Sequence, residues 1–132
     1  MPVILDTHSW MWWVNGGSGL SRKARTAIDK ALAQNDLRLS LISVWEVAKR
    51  VEKKQLVLDR SLDQWLDAAT TSQGLQVLEL TRSILVDACH LPPPFHGDPA
   101  DQMIVATARH YGATLVTKDQ KIRDYPHVRS VW

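Results

Sequence analysis

Short unbroken apolar runs alternate along this chain with longer stretches in which apolar residues recur every three or four positions. Val3, Ile4 and Leu5 form the first such run, which fits a strand buried on both faces, as in a parallel sheet. Residues 37–42, 75–80 and 113–117 read as further strands, and the closing VRSVW reads as an edge strand. Between them the period lengthens. A helix is expected from Ser21, with Ala24, Ile28, Ala31 and Leu32 as its apolar stripe. SVWE opens another, Ser43 and Glu46 standing at capping-box spacing. Ser61 and Gln64 begin a third, in which Leu62, Trp65, Leu66 and Ala69 share a face and Gly74 is the stop. Thr81 caps a fourth that runs to His90 and ends before Pro92, Pro93 and Pro94. Asp98 and Pro99 start a fifth, which Gly112 closes after Tyr111. The tryptophan-rich residues 7–14 receive no assignment and are broken off by Gly16, Gly17 and Gly19. Strand–helix alternation of this kind predicts an α/β domain spanning residues 1–132, with a central, mostly parallel sheet flanked by helices.

Composition narrows the class. At 132 residues the chain supports one hydrophobic core, and 45% hydrophobic with 23% charged residues excludes a disordered or low-complexity protein. A net charge of +2 permits nucleic-acid binding without requiring it. The single cysteine, Cys89, has no internal disulfide partner and is expected on an apolar helix face, in the core rather than as a nucleophile. No apolar run approaches the roughly 20 residues of a membrane helix, and the opening MPVILD differs from a secretory leader. A cytoplasmic protein away from the membrane is expected.

Four acids recur at comparable places. Asp6 and Asp119 follow strands, while Glu46 and Asp101 stand in the first turns of helices. In a parallel sheet those ends lie along one edge, where ligand-binding groups gather. Two unit charges about 4 Å apart repel by roughly 4 kcal/mol at an effective dielectric of 20, so such a cluster calls for a cation. Carboxylate oxygens suit Mg2+ or Mn2+, and Mg2+ is commonly held together with substrate phosphates. Each acid also has a plainer explanation: Glu46 in a capping box, Asp98 as a helix cap, Asp101 at a helix dipole, Asp119 in a turn. Asp6 is the hardest to explain so, because an acid after a buried strand needs a polar destination.

Other chemistries are weaker. A metal-free RNA cleavage would use histidine as acid and base, and of the five histidines only His8 and His96 lie near the acids. No CxxC pair, P-loop, GxSxG or GxGxxG is present, which sets aside zinc ribbons, nucleotide-triphosphate motors, serine hydrolases and dinucleotide enzymes. The six tryptophans read as core and interface residues, with base stacking as the alternative. The run KRVEKK, with Lys49, Arg50, Lys53 and Lys54, reads either as a solvated helix face or as a guide for a phosphate backbone toward Glu46.

Four segments taken together resemble the PIN-domain ribonucleases, and among them the VapC-type toxins of type II toxin–antitoxin systems. LDTHSWMWW looks like the family's opening strand and DTH motif, LISVWEVAKR like its second acidic motif, HGDPADQMIVATA like its DPxD helix and LVTKD like its last acidic motif. The resemblance implies that Asp6, Glu46, Asp101 and Asp119 are the catalytic and metal-holding residues, with one or two Mg2+ or Mn2+ ions. Around them, Thr7, Ser43, Asp98 and Thr117 would orient carboxylates or water. Lys49, Arg50, Lys53, Lys54 and Lys118 are the candidate RNA contacts. A homodimer and a cognate antitoxin partner are further implications. The chain departs from the common HRDPFDR form at Gly97, Ala100 and Gln102, and has Gln55 where glycine is frequent.

The reaction so implied is metal-assisted hydrolysis of an RNA phosphodiester, with water attacking phosphorus and the 3′-oxygen leaving, so that cleavage yields 5′-phosphate and 3′-hydroxyl ends. Alternatives are a catalytically silent PIN-like module that binds nucleic acid or protein, and, more remotely, a magnesium-dependent α/β phosphatase, disfavoured because no DxD follows the first strand.

Overall fold

The computed structural model of the protein describes residues 1–72 and 74–132. Five strands, β1 (Val3–Leu5), β2 (Leu37–Ser40), β3 (Leu75–Leu78), β4 (Thr114–Val116) and β5 (Arg129–Val131), form one sheet in the order β3-β2-β1-β4-β5. Every pairing is parallel. Among the described residues seven helices accompany it: α1 (Thr7–Val14), α2 (Arg22–Ala33), α3 (Ile42–Glu52), α4 (Leu62–Thr70), α5 (Arg82–Ala88), α6 (Pro99–His110) and α7 (Gln120–Arg123).

Alternate strand residues feed two cores, as the period of two requires. Val3, Leu5, Leu37, Leu39 and Val116 face one layer, with Trp10, Ala24, Ile28, Val47 and Trp65 from helices α1 to α4. Ile4 and Leu115 face the other, with Ile104, Val105 and Ala108 of α6 and Ile122 of α7. Helix α5 then packs its Ile84 and Ala88 on Ala106 of α6, outside that second layer.

Helix ends follow local chemistry. Ser21, Ser61, Thr81 and Asp98 accept hydrogen bonds from backbone N–H groups of the first turns they cap, and Ser61 with Gln64 completes a capping box. At the end of α6, Ala113 N–H donates to Ala108 O and Gly112 N–H to Arg109 O, while Gly112 takes φ +60°. That is a Schellman stop followed directly by β4. Helix α3 ends the same way without glycine. Lys54 adopts φ +58°, its N–H donating to Val51 O and that of Gln55 to Arg50 O, so a strained lysine, one residue before Gln55, takes the left-handed position.

Several expectations need correction. Helix α3 begins at Ile42, with Leu41 before it and no side-chain cap, so Ser43 and Glu46 do not form a capping box; both lie inside the helix and point elsewhere. Helix α4 ends at Thr70, four positions before Gly74, whose φ of +88° serves the entry to β3 instead. Cys89 is exposed at the C-terminal cap of α5, because the buried stripe of that helix is Ile84 and Ala88. The unassigned residues 7–14 are helical, and α7 is an additional short helix.

Candidate active site

Strand order reverses beside β1: its neighbours are β2 on one side and β4 on the other, and chain connections lead away from that boundary in both directions. A crevice forms at the carboxyl ends of strands at such a switch point, because the helices that follow diverge to opposite faces. Asp6 leaves the end of β1 and Asp119 lies three residues past the end of β4; Asp6 N–H donates to Val116 O at 3.1 Å, which ties the two ends together. A cleft of about 420 Å³ opens there, lined by Asp6, Thr7, Glu46, Asp98, Asp101 and Asp119 on its acidic side and by His8, Trp12, Arg50 and Lys118 around them.

Three of these acids are also helix caps. Asp6 Oδ1 accepts from Ser9 N–H at the start of α1, Asp98 Oδ1 from Asp101 N–H at the start of α6, and Asp119 Oδ1 from Lys121 N–H at the start of α7. The plain explanation and the chemical one therefore coexist. Each cap occupies one carboxylate oxygen, and the positive helix ends offset part of the mutual repulsion. Asp98 is exposed, whereas Asp6 is buried.

Glu46 is held differently. Its Oε1 accepts a short hydrogen bond from the Thr7 hydroxyl, and its Oε2 lies 3.8 Å from Arg50 on the next turn. Thr7 Oγ1 is also 2.9 Å from Ser43 Oγ. A hydroxyl has one proton and a carboxylate only accepts, so Thr7 donates to Glu46 and Ser43 donates to Thr7. Both hydroxyls are buried. Thr117, also buried, accepts from Asp119 N–H at 3.1 Å and fixes the turn that carries Asp119.

Asp101 bears the cost of the cluster. Burial, and then the charges of Asp98, Glu46, Asp119 and Asp6, push its pKa from 3.8 up to about 7. His96 Nε2 lies 3.3 Å from Asp101 Oδ2, and one ligand atom each from His96, Asp101 and Asp119 fall within 4.8 Å of one another. The imidazole is fixed by Phe95 stacked at 4.4 Å and by Asp98 N–H, which donates to Nδ1 at 3.4 Å. Because Nδ1 accepts, the neutral ring carries its proton on Nε2, the nitrogen nearer Asp101. Proximity and alignment differ here: Nε2 is buried, yet its N–H is not directed well enough at Oδ2 to make a hydrogen bond. Gln102, one of the departures from the common motif, donates to His96 O at 3.2 Å and so steadies this loop. Gly97 is exposed with open space around it, and Ala100 is buried.

The basic residues divide. Arg50 and Lys118 reach the cleft, Arg50 donating to His8 Nε2 at 3.3 Å. An arginine cannot accept, so His8 Nε2 presents its lone pair to the guanidinium and is engaged as an acceptor. Lys49 and Lys53 line an adjoining groove with Trp45. Lys49 is paired with Glu52 at 2.7 Å, an interaction that holds the Glu52 carboxyl below its ordinary value. Lys54, exposed in the turn after α3, lines neither space. Sequence reasoning had no place for Trp12 in the cleft; the signal was its spacing of four from His8, which puts both on one face once residues 7–14 are helical.

With this geometry in view, comparison with known proteins is decisive. The PIN domain family profile matches residues 3–128. This chain belongs to the PIN-domain family. A VapC-type affiliation within it follows from 36% identity over 129 residues to Ribonuclease VapC22 of Mycobacterium tuberculosis, covering 98% of this chain and 95% of that protein. The PIN fold recurs in solved structures at lower identity. DNA-bound VapBC from Salmonella typhimurium superposes with a TM-score of 0.69 at 18% identity, covering 99% of this chain and 97% of that one. A toxin–antitoxin complex from Klebsiella pneumoniae gives 0.66 at 18% identity, covering 98% and 96%.

Proposed function

We propose that this PIN-domain protein is a metal-dependent endoribonuclease, the toxin of a type II toxin–antitoxin pair, with Asp6, Glu46, Asp101 and Asp119 as its catalytic and metal-holding set. One observation carries the reading: carboxylates from four separate elements converge on the switch-point cleft, where burial first and the neighbouring charges after it raise the pKa of Asp101. The relative named a ribonuclease supports RNA as substrate, and the toxin–antitoxin complexes of like fold support a cognate antitoxin as partner. A cytoplasmic homodimer is the assembly the family implies. No helix among the described residues is long and apolar enough to cross a membrane.

The donor set fits Mg2+ or Mn2+, being oxygen-rich and in excess of negative charge. Such an ion, when bound, supplies Lewis acidity that activates water for attack on phosphorus and stabilises the leaving 3′-oxygen. The chain's own groups do the rest. Thr7 and Ser43 fix the Glu46 carboxylate, the α1 and α7 caps orient Asp6 and Asp119, and His96 stands behind Asp101. Arg50 and Lys118 face the same cleft and can hold flanking phosphates.

Incubation of purified protein with a varied RNA pool and Mn2+ is expected to give 5′-phosphate and 3′-hydroxyl ends, and EDTA is expected to abolish cleavage. Cyclic phosphates formed in EDTA would instead support histidine chemistry. In cells, Asp6→Asn and Asp101→Asn are expected to remove growth inhibition while circular dichroism stays that of a folded protein.

A further inference from the structure

Helix α1 sends its tryptophans to different destinations. Trp10 is fully buried, its Nε1–H donating to Ala69 O at 3.2 Å and its ring edge-on to Trp65. Trp13 packs against the same core. Trp12 belongs to neither core cluster; partly exposed, it lines the acidic cleft with His8 one turn before it. The indole is held in place from several sides. Gly19 approaches so closely that a Cβ there would lie 2.6 Å from the ring carbons, and no side chain at that position fits without displacing it. His8 and Trp132 tilt against it at centroid distances of 5.7 and 5.6 Å. The Lys118 ammonium is 6.0 Å from the ring centroid, and Arg50 lines the same space.

An aromatic ring fixed at the rim of a phosphate-handling cleft, with the Lys118 ammonium over it and Arg50 in the same cleft, has the chemistry of a base-stacking site: a π surface engaged by a cation that a nucleobase can replace, and positive charge for the phosphates on either side. We propose that Trp12 is the stacking platform for a nucleobase next to the phosphate that is cut. The proposal rests on the RNA-cleaving reading above. Every base has a π face, so the contact selects a nucleotide that is free to unstack from its neighbours rather than a particular letter.

The test uses a short RNA spanning a cleavage site mapped with the wild-type protein, with abasic residues placed singly at each position around the cut. One abasic position beside the cut is expected to lower kcat/KM by roughly 5- to 100-fold, the range of a lost base–aromatic stack. Trp12→Leu is expected to lower kcat/KM on intact RNA by a similar factor and to show no further loss at that abasic position, while Trp12→Phe keeps most of the rate. 5-Bromouridine at that position should photocrosslink wild-type protein within residues 7–14, a readout that needs no variant. Undiminished sensitivity to the abasic position in folded Trp12→Leu, or crosslinks that all fall elsewhere, overturns the proposal while metal-dependent cleavage stands. Absence of any cleavage across a varied RNA pool with Mn2+ would overturn the ribonuclease reading itself, and this proposal with it.

Discussion

Single residues in the cleft carry opposed demands. Asp101 is the clearest, because a carboxyl pushed to about 7 by burial and four neighbouring acids is unfavourable to the fold in its charged form. In the unfolded chain it titrates near 3.8. The native state therefore binds its proton more tightly, and the stability this confers is full below about pH 4 and lost as pH rises through 7. Asp101→Asn removes the charge. Without divalent metal the variant is expected to melt higher than wild type at pH 8, and the gap should close at pH 4; with saturating Mn2+ only wild type should gain. Thermal melts at both pH values, with and without metal, check this. Thr7 offers a second test at this scale. Thr7→Val keeps the shape but leaves Glu46 without its buried donor, and a loss of about 10- to 100-fold in metal affinity or cleavage is expected, measured by Mn2+ titration and by rate.

Elements are placed by their ends as much as by their stripes. The start of α6 puts Asp98 and Asp101 over the cleft, and its Schellman stop turns the chain directly into β4, which delivers Asp119. Helix α3 brings Glu46 in from the opposite layer and then ends on Lys54 in the left-handed region. Lys54 is exposed and lines neither the cleft nor the groove beside it. Lys54→Gly should thus relieve backbone strain and raise stability by about 1 kcal/mol in urea denaturation, with cleavage unchanged.

Across the whole molecule, an all-parallel sheet with helices on both faces concentrates function at one edge. The two core layers are mainly apolar packings, and four of the buried polar residues, Asp6, Thr7, Ser43 and Thr117, lie where the strands and the helices after them meet the cleft. A ligand that binds only the folded state stabilises it by mass action, about 2.7 kcal/mol at a hundredfold excess over Kd. Metal should therefore raise the melting temperature of wild-type protein in proportion to the logarithm of its concentration. Scanning calorimetry over a Mn2+ series is the measurement, and a melting temperature independent of Mn2+ would contradict a metal site in this cleft.

Sequence alone determined the alternation of strands and helices and four of the helix caps, because each depends on local periodicity or on a side chain meeting its own backbone, and it singled out the four acids that the fold brings to one cleft. It also carried the family resemblance in four ordered motifs. What it left open were questions of direction. Whether Glu46 caps its helix or turns into a cleft depends on Thr7, 39 positions away, and only the fold brings that hydroxyl to it. Cys89 was read as core and lies outside it, and the six tryptophans, read together as core and interface residues, divide between core and cleft, since a short helix buries one narrow stripe and neighbouring elements decide which residues fall on it. The raised pKa of Asp101 is likewise largely tertiary: beside burial and its own helix cap Asp98, it reflects the charges of Glu46, Asp119 and Asp6, which arrive from three other segments.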